Sequence, residues 1–321
     1  GVSDRIALTG GCGFIGSHVA EALASAGFRV LIIDDLSHPC GVEPPPEAEV
    51  LIADAGSPRA ATALTAFRPD TVVHLAARGG VARALRDPAA HARTVLASSV
   101  ALMSSALAAG ARSVVAASSG GALYGEAARL PADETLHPAP RSAYGAEKFA
   151  EEGYLAALGR TAGVRTLALR FGNVYGPRQD GSGEAGVVAI TCHRLLAGQA
   201  PIVFGDGGQT RDFVYVADVA AAVLAAIDSD AAGALNVGTG REASVGTVVG
   251  LLARQAGHIA PVERHEARPG EVRRACLDIG AIRHHLGWQP AVALEEGIAR
   301  TWTWFSHRPN VHDSDLDKET A

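Results

Sequence analysis

The stretch TGGCGFIGSHV, residues 9–19, decides the fold. A short apolar run at 5–9 precedes it, and an Ala-rich segment at 17–26 with helical spacing follows; Gly27 and the apolar run 30–33 then predict a second strand. Gly10, Gly13 and Gly16 therefore stand in a strand–turn–helix unit, the setting in which such glycines serve dinucleotide binding. Without side chains they let the backbone approach a pyrophosphate, whose charge rests on the free N–H groups and positive end of the helix. Phe14 and Ile15 lie inside the same turn and join that contact set.

Outward from this unit the alternation continues. Strands are expected at 50–53, 71–75, 113–117 and 165–169, and helices at 59–67, 94–111 and 143–161. The fold class is thus α/β, a Rossmann-type doubly wound parallel sheet covered on both faces. After Pro177 the rhythm loosens into a Gly-rich loop, a helix at 187–196, short strands near Ile202 and Phe213, and a last helix at 297–305. Residues 1–180 are assigned to an NAD-binding lobe and 181–308 to a smaller C-terminal substrate-binding lobe, with the chain free to cross back. The polar, acidic stretch 309–321 is expected to be a disordered tail.

Composition narrows the function. With 321 residues, 48% of them hydrophobic, the chain can bury a core and falls outside the disordered and fibrous classes. A formal charge of -6 without basic clusters argues against a nucleic-acid partner, so an anionic ligand must be held by a few local arginines. Cys12, Cys40, Cys192 and Cys276 lack metal-ligand spacing, so no metal is expected and reduced thiols in a cytoplasm are the simpler reading. The chain opens on a strand and a glycine loop, which predicts no leader. Residues 94–111 carry no charge, but the serines at 98, 99, 104 and 105 favour a buried helix or dimer contact over a membrane span.

Asp34 ends the second strand where an acidic group meets the adenosine ribose. Its carboxylate would accept from both ribose hydroxyls and repel a 2'-phosphate, which favours NAD over NADP; Asp35 competes for the role. Asp54 joins the cofactor set, as do the small residues Leu75, Ala76 and Ala77 at the end of another strand. Tyr144 and Lys148 stand four apart on one helix face. Lys148 and a positive nicotinamide ring both favour the phenolate, and lowering a phenol by about 3 units takes roughly 4 kcal/mol. Ser118 and Ser119 follow a predicted strand, and a hydroxyl there can bridge a substrate oxygen to the phenol. Tyr144 then takes a hydroxyl proton while hydride leaves the same carbon for NAD.

With these parts in this order, the chain resembles the extended short-chain dehydrogenase/reductase family, and within it the UDP-glucose 4-epimerases and their UDP-glucuronate relatives. The resemblance spans about residues 5–305 and rests on TGGCGFIGSHV, SSGGALYGE from Ser118, YGAEK from Tyr144, RFGNVYGPRQ from Arg170, GDGGQTRDFVYVADV from Gly205, NVGTG from Asn236 and RPGE from Arg268. It implies that Asn173, Arg211 and Arg268 hold a nucleotide diphosphate with Glu271 near its ribose. It also implies that Val187 and Val188 adjoin the uracil, and that Tyr175 lies by the nicotinamide. Arginine forks suit a diphosphate on physical grounds as well. Val95 stands where many relatives carry an asparagine, so support for the catalytic strand must be lost or replaced.

The same resemblance bears on the reaction. Related 4,6-dehydratases place an Asp-Glu pair after the catalytic hydroxyl; this chain has Gly120 and Gly121 there, and no carboxylate before Tyr124. The expectation is a UDP-sugar 4-epimerase that oxidises carbon 4, lets the 4-keto sugar turn over, and returns hydride to its other face. UDP-glucose/UDP-galactose and UDP-glucuronate/UDP-galacturonate both remain open as substrates, with Arg83 placed to meet a uronate carboxylate. The alternatives are a nucleotide-sugar 4,6-dehydratase, a 4-ketoreductase, or a non-catalytic NAD-binding regulator. A homodimer through the helices at 94–109 and 147–161 is the expected assembly.

Overall fold

The computed structural model describes residues 5–77, 84, 86–181, 186–258, 261–268 and 271–307. Six strands, β1 (Arg5–Thr9), β2 (Arg29–Asp34), β3 (Glu49–Ile52), β4 (Thr71–His74), β5 (Ser113–Ser119) and β6 (Arg165–Phe171), join strand Gly233–Val237 in one sheet. All neighbours run parallel, in the order Gly233–Val237, β6, β5, β4, β1, β2, β3. The chain moves outward from β1 to β3, then starts again at β4 and moves the other way. β1 and β4 therefore border the switch point, where the loops at the strands' C-terminal ends part and leave a crevice.

Strand alternation decides which side chain faces which layer. Ile6 and Leu8 of β1 pack with Val19 and Leu23 of α1 (Phe14–Ser25) and with Val219 and Val223 of helix Val216–Ile227. Ala7 between them faces the opposite layer, with Leu64 of α2 (Pro58–Phe67), Leu102 of helix Ala97–Ala108 and Leu155 of helix Ala143–Ala162. Full burial of one such aliphatic side chain contributes roughly 1.5–3 kcal/mol, so the two layers hold the sheet rigid beneath the crevice.

A second lobe gathers beyond β6. Strands Asn173–Tyr175 and Phe213–Tyr215 pair in parallel, and Phe213 and Tyr215 pack with Val188, Cys192, Val248, Leu252, Ile298 and Phe305 from three helices. Asp218 fastens this lobe by accepting from the backbone N–H groups of Ala291 (3.1 Å) and Val292 (3.0 Å). Between visits to the lobe the chain returns to the large sheet through Val216–Ile227 and Gly233–Val237, so the lobe is discontinuous in sequence.

Two expectations need adjustment. The helix expected at 94–111 begins as a π-helical turn, Ala92–Leu96, before the regular Ala97–Ala108. Elements Val216–Ile227, Gly233–Val237, Val245–Gln255 and Gly280–Leu286 add to those expected from sequence. Among the described residues no helix is long and apolar enough to cross a membrane. The stretch 309–321 lies outside the described residues.

Candidate active site

The crevice at the switch point holds a cavity of about 270 Å³. Gly10, Gly13, Phe14, Ile15 and Gly16 form one wall; Asp34, Asp54, Leu75, Ala76 and Ala77 line it farther along. Gly10 has φ of +73°, and a Cβ there would lie 2.7 Å from the Ala76 backbone nitrogen. A Cβ on Gly16 would lie 1.8 Å from the Gly10 carbonyl oxygen, so helix and loop close only over a bare backbone. Gly13 meets nothing nearer than 3.4 Å and presents open backbone to the cavity. The first N–H groups of α1, which have no partner within a helix, open here as an anion cradle.

Asp34 accepts from the backbone N–H of Cys12 at 2.9 Å and of Leu36 at 2.8 Å, which fixes its carboxylate at the end of β2. Asp35 instead closes a turn with the Ser37 N–H at 2.9 Å. Asp54 accepts from Ser98 Oγ and the Gly56 N–H, both at 3.0 Å. A glycine cradle, a carboxylate fixed at the end of β2 and apolar flanks in one cavity fit NAD.

Across the cleft, Ser142 caps helix Ala143–Ala162 by accepting from the Gly145 N–H at 3.1 Å, which places Tyr144 in the first turn beside β5. Lys148 Nζ lies 6.0 Å from the Tyr144 ring centre and pairs with Glu151 Oε2 at 2.7 Å; Glu147 Oε1 is 4.0 Å away. Burial disfavours the Lys148 ammonium, but Glu151 and the other acidic neighbours outweigh it and raise the pKa above its ordinary value. Burial pushes Glu147 up to about 7, against the pull of Lys148 and with added repulsion from Glu151.

The surroundings of the phenol pull in both directions. Burial raises the Tyr144 pKa above that of a free phenol, and Glu151 and Glu147 add to the rise, while Lys148 and the Ser119 hydroxyl oppose it. The resting side chain is therefore a proton donor that still needs further positive charge to become a base.

The two serines separate cleanly. Ser119 is the serine whose hydroxyl acts on the phenol and lowers its pKa. Ser118, on the opposite face of the strand, donates to Glu152 at 2.6 Å, and Glu152 holds Arg170 at 2.7 Å. Arg170 donates to Tyr124 Oη (2.8 Å), which donates to Asn236 (2.9 Å). Ser118 thus belongs to a brace between β5, β6 and strand Gly233–Val237, and its assignment as catalytic hydroxyl is corrected.

On the lobe side the structure brings together Arg211 and Glu271, paired at 2.9 Å, and the Glu271 N–H meets the Arg268 carbonyl at 3.3 Å. The Arg268 guanidinium stacks 4.0 Å over the Phe204 ring. Asn173 lies across from Gly121, where a Cβ would stand 3.3 Å from Asn173 Oδ1. Val187 is half-buried at the start of its helix. Two expectations fail here. Val188 is 1% exposed and turns into the lobe core, so its side chain does not line a ligand site. Tyr175 is 2% exposed, contacts the Phe213 and Tyr215 rings and bonds the Leu294 carbonyl, because its strand faces that core and not the cofactor cleft. Arg83 lies outside the described residues.

Several cavity residues escaped the sequence reading: His74, Thr94, Ser98, Ser99 and Arg178. Arg178 adopts φ of +72° and pairs with Glu21 of α1 at 2.7 Å, which folds the PRQ segment over the cleft. The signal for Ser98 and Ser99 was their place in an otherwise uncharged helix, where a hydroxyl needs a partner.

Comparison with known proteins follows this geometry. A UDP-glucose 4-epimerase of Mycolicibacterium smegmatis is 39% identical, with 95% of this chain and 99% of that protein covered. The crystal structure of a Thermotoga maritima UDP-glucose 4-epimerase with UDP-glucose superimposes with a TM-score of 0.91 at 38% identity, covering 94% and 98% of the two chains. A Thermus thermophilus UDP-glucose 4-epimerase in complex with NAD gives a TM-score of 0.89 at 38% identity, covering 94% and 99%. The model of the NAD dependent epimerase/dehydratase family matches residues 6–238. Carrying the glycine cradle, the fixed carboxylate of Asp34 and the Tyr144–Lys148 pair within that span, the chain belongs to the NAD dependent epimerase/dehydratase family.

Proposed function

We propose that this protein is a UDP-sugar 4-epimerase, with UDP-glucose and UDP-galactose as its first pair and UDP-glucuronate and UDP-galacturonate as the second. The observation that carries the reading is the Tyr144 phenol, flanked by Ser119 and Lys148 beside a cleft that fits NAD. NAD, when bound, takes up and returns the hydride of sugar carbon 4, and its positive ring adds the charge that the phenolate lacks at rest. Tyr144 removes the proton of the 4-hydroxyl, and Ser119 holds the oxygen that passes from hydroxyl to ketone and back. Lys148 lowers the cost of the phenolate through its ammonium.

Arg211 and Arg268 would hold the diphosphate, Glu271 its ribose, and Val187 the base. Holding the diphosphate while leaving the sugar free to turn over is what inversion at carbon 4 requires. Gly120 and Gly121 favour epimerisation over water elimination, because a dehydratase needs an additional acid and base at that place. Gly120 is also fixed by packing, since a Cβ there would lie 2.7 Å from the Leu277 side chain.

All four cysteines are free thiols, in keeping with a reducing cytoplasm. A homodimer through helices Ala97–Ala108 and Ala143–Ala162 belongs to the same proposal; Tyr154 stands 48% exposed on the second of these. The test is to incubate the purified protein, without added cofactor, with each of the four UDP-sugars and to separate the products. One or both pairs should interconvert without net NADH. Net reduction or elimination products would replace the epimerase reading with a ketoreductase or dehydratase, and no turnover at all would favour a regulator.

A further inference from the structure

Val95 is buried and apolar, so the polar support of the catalytic lysine comes from elsewhere. One chain of hydrogen bonds supplies it. The Ala76 N–H meets Thr9 Oγ1 at 3.2 Å; Thr9 Oγ1 meets His74 Nδ1 at 2.7 Å; His74 Nε2 meets Ser99 Oγ at 2.9 Å. Ser99 Oγ donates to Glu151 Oε1 at 2.8 Å, and Glu151 Oε2 accepts from Lys148 Nζ at 2.7 Å.

With the imidazole of His74 neutral, the proton count along this chain has one solution. Ser99 spends its only proton on Glu151, so it accepts from His74, which must carry hydrogen on Nε2. His74 Nδ1 then accepts from the Thr9 hydroxyl, whose oxygen accepts from Ala76. Burial holds His74 down at about 4, which keeps the imidazole neutral at ordinary pH. Thr9, His74, Ser99, Glu151 and Lys148 are each at most 4% exposed, so bulk water does not replace a missing link.

We propose that Glu151 is a positioning residue: through this chain it fixes the Lys148 ammonium against Tyr144 and ties it to the Ala76 turn of the cofactor cleft. The geometry stands alone, while its kinetic readout rests on the epimerase reading. Glu151 faces Lys148 on its own helix, Ser99 on helix Ala97–Ala108 and His74 on β4. Among the described residues, Glu147, in contact with His91, and Tyr144 are the other titratable groups beside it, and Asp54 acts on His74 from the cavity side. As a carboxylate, Glu151 also opposes ionisation of the phenol, so its removal has two separable effects. The ammonium loses its anchor, which raises the phenol, and the phenol loses a repulsive neighbour, which lowers it; the ammonium is the larger influence.

The experiment compares the pH profiles of full-length wild type, Glu151→Gln, Ser99→Ala and Ser99→Thr in epimerisation. Glu151→Gln should lose about 10- to 100-fold in plateau kcat with KM within about 2-fold, while its acid limb moves to higher pH, because the unanchored ammonium no longer favours the phenolate. Ser99→Ala should lose kcat and Ser99→Thr should restore most of it. A limb that stays in place or moves to lower pH, whether or not kcat falls, would overturn the proposal: a merely structural loss leaves the limb where it is, and loss of repulsion from a carboxylate that anchors nothing lowers it.

A second readout needs no turnover. The ultraviolet titration of Tyr144, taken as the difference between proteins with and without Tyr144→Phe, should move to higher pH in the Glu151→Gln background. An unmoved titration, or one moved to lower pH, would overturn the proposal. If wild type turns over none of the four UDP-sugars, the epimerase reading falls and this titration alone decides the role of Glu151.

Discussion

Ser118 and Ser119 are adjacent in sequence, yet their hydroxyls serve different halves of the molecule, because successive side chains of a strand point to opposite faces. Ser119 meets the phenol of Tyr144, whereas Ser118 donates to Glu152. Ser119→Ala should therefore lose roughly 10²-fold in kcat with little change in thermal midpoint. Ser118→Ala leaves Glu152 one donor short while Arg170 still holds it, which costs about 1–3 kcal/mol of stability and spares most of the activity of the folded protein. Steady-state kinetics and thermal unfolding on both variants check the pair; a reversed pattern would exchange their roles. The sequence narrowed the hydroxyl to two neighbours, and only strand register, set by β5 pairing with β6, could separate them.

Between elements, the burial of Glu147 on helix Ala143–Ala162, beside Lys148 and Glu151, leaves a pH signature. Burial raises Glu147 to about 7 from 4.5, so the folded protein holds a proton in this range that the unfolded chain has released. The stability that this proton contributes is complete below pH 4.5 and is lost as pH rises through 7. Glu147→Gln has no such loss, so its thermal midpoint relative to wild type should be higher at pH 8 than at pH 5. A difference that is flat or opposite in sign would contradict the raised carboxyl. His74, lowered from 6.5 to about 4, contributes with the opposite sign: its share is present above pH 6.5 and is lost as pH falls through 4. It is common to both proteins and cancels in the comparison.

The elements of the first lobe were legible because each carries one apolar face. The turn at 9–19, the helix at 143–161 and the strands at 71–75 and 165–169 all lie within a few residues of the observed elements. Legibility failed where tertiary contacts override a local pattern. Val216–Ile227 buries residues on several sides, so it lacks a polar stripe to mark its period. The π-helical turn Ala92–Leu96 arises within a stretch that has no proline or glycine to announce it. Tyr175 and Val188 looked available to a ligand because nothing in their own segments revealed a second core. The network behind Lys148 was invisible for the same reason: Thr9, His74, Ser99 and Glu151 come from four separate elements.

At the scale of the whole molecule, the proposed function divides the labour between the two parts. The parallel sheet carries Tyr144, Lys148 and the cleft that fits NAD, while in the proposed reading Arg211, Arg268 and Glu271 meet the nucleotide from the other side. The account requires hydride to pass from carbon 4 to a dinucleotide retained in the cleft and back, with only the hydroxyl proton handled by Tyr144. Epimerisation of UDP-galactose carrying deuterium at carbon 4, run in ordinary water without added cofactor, tests this directly. UDP-glucose should appear with the deuterium still on carbon 4. Loss of that label to solvent would contradict the account, because it would mean that the carbon-bound hydrogen leaves as a proton.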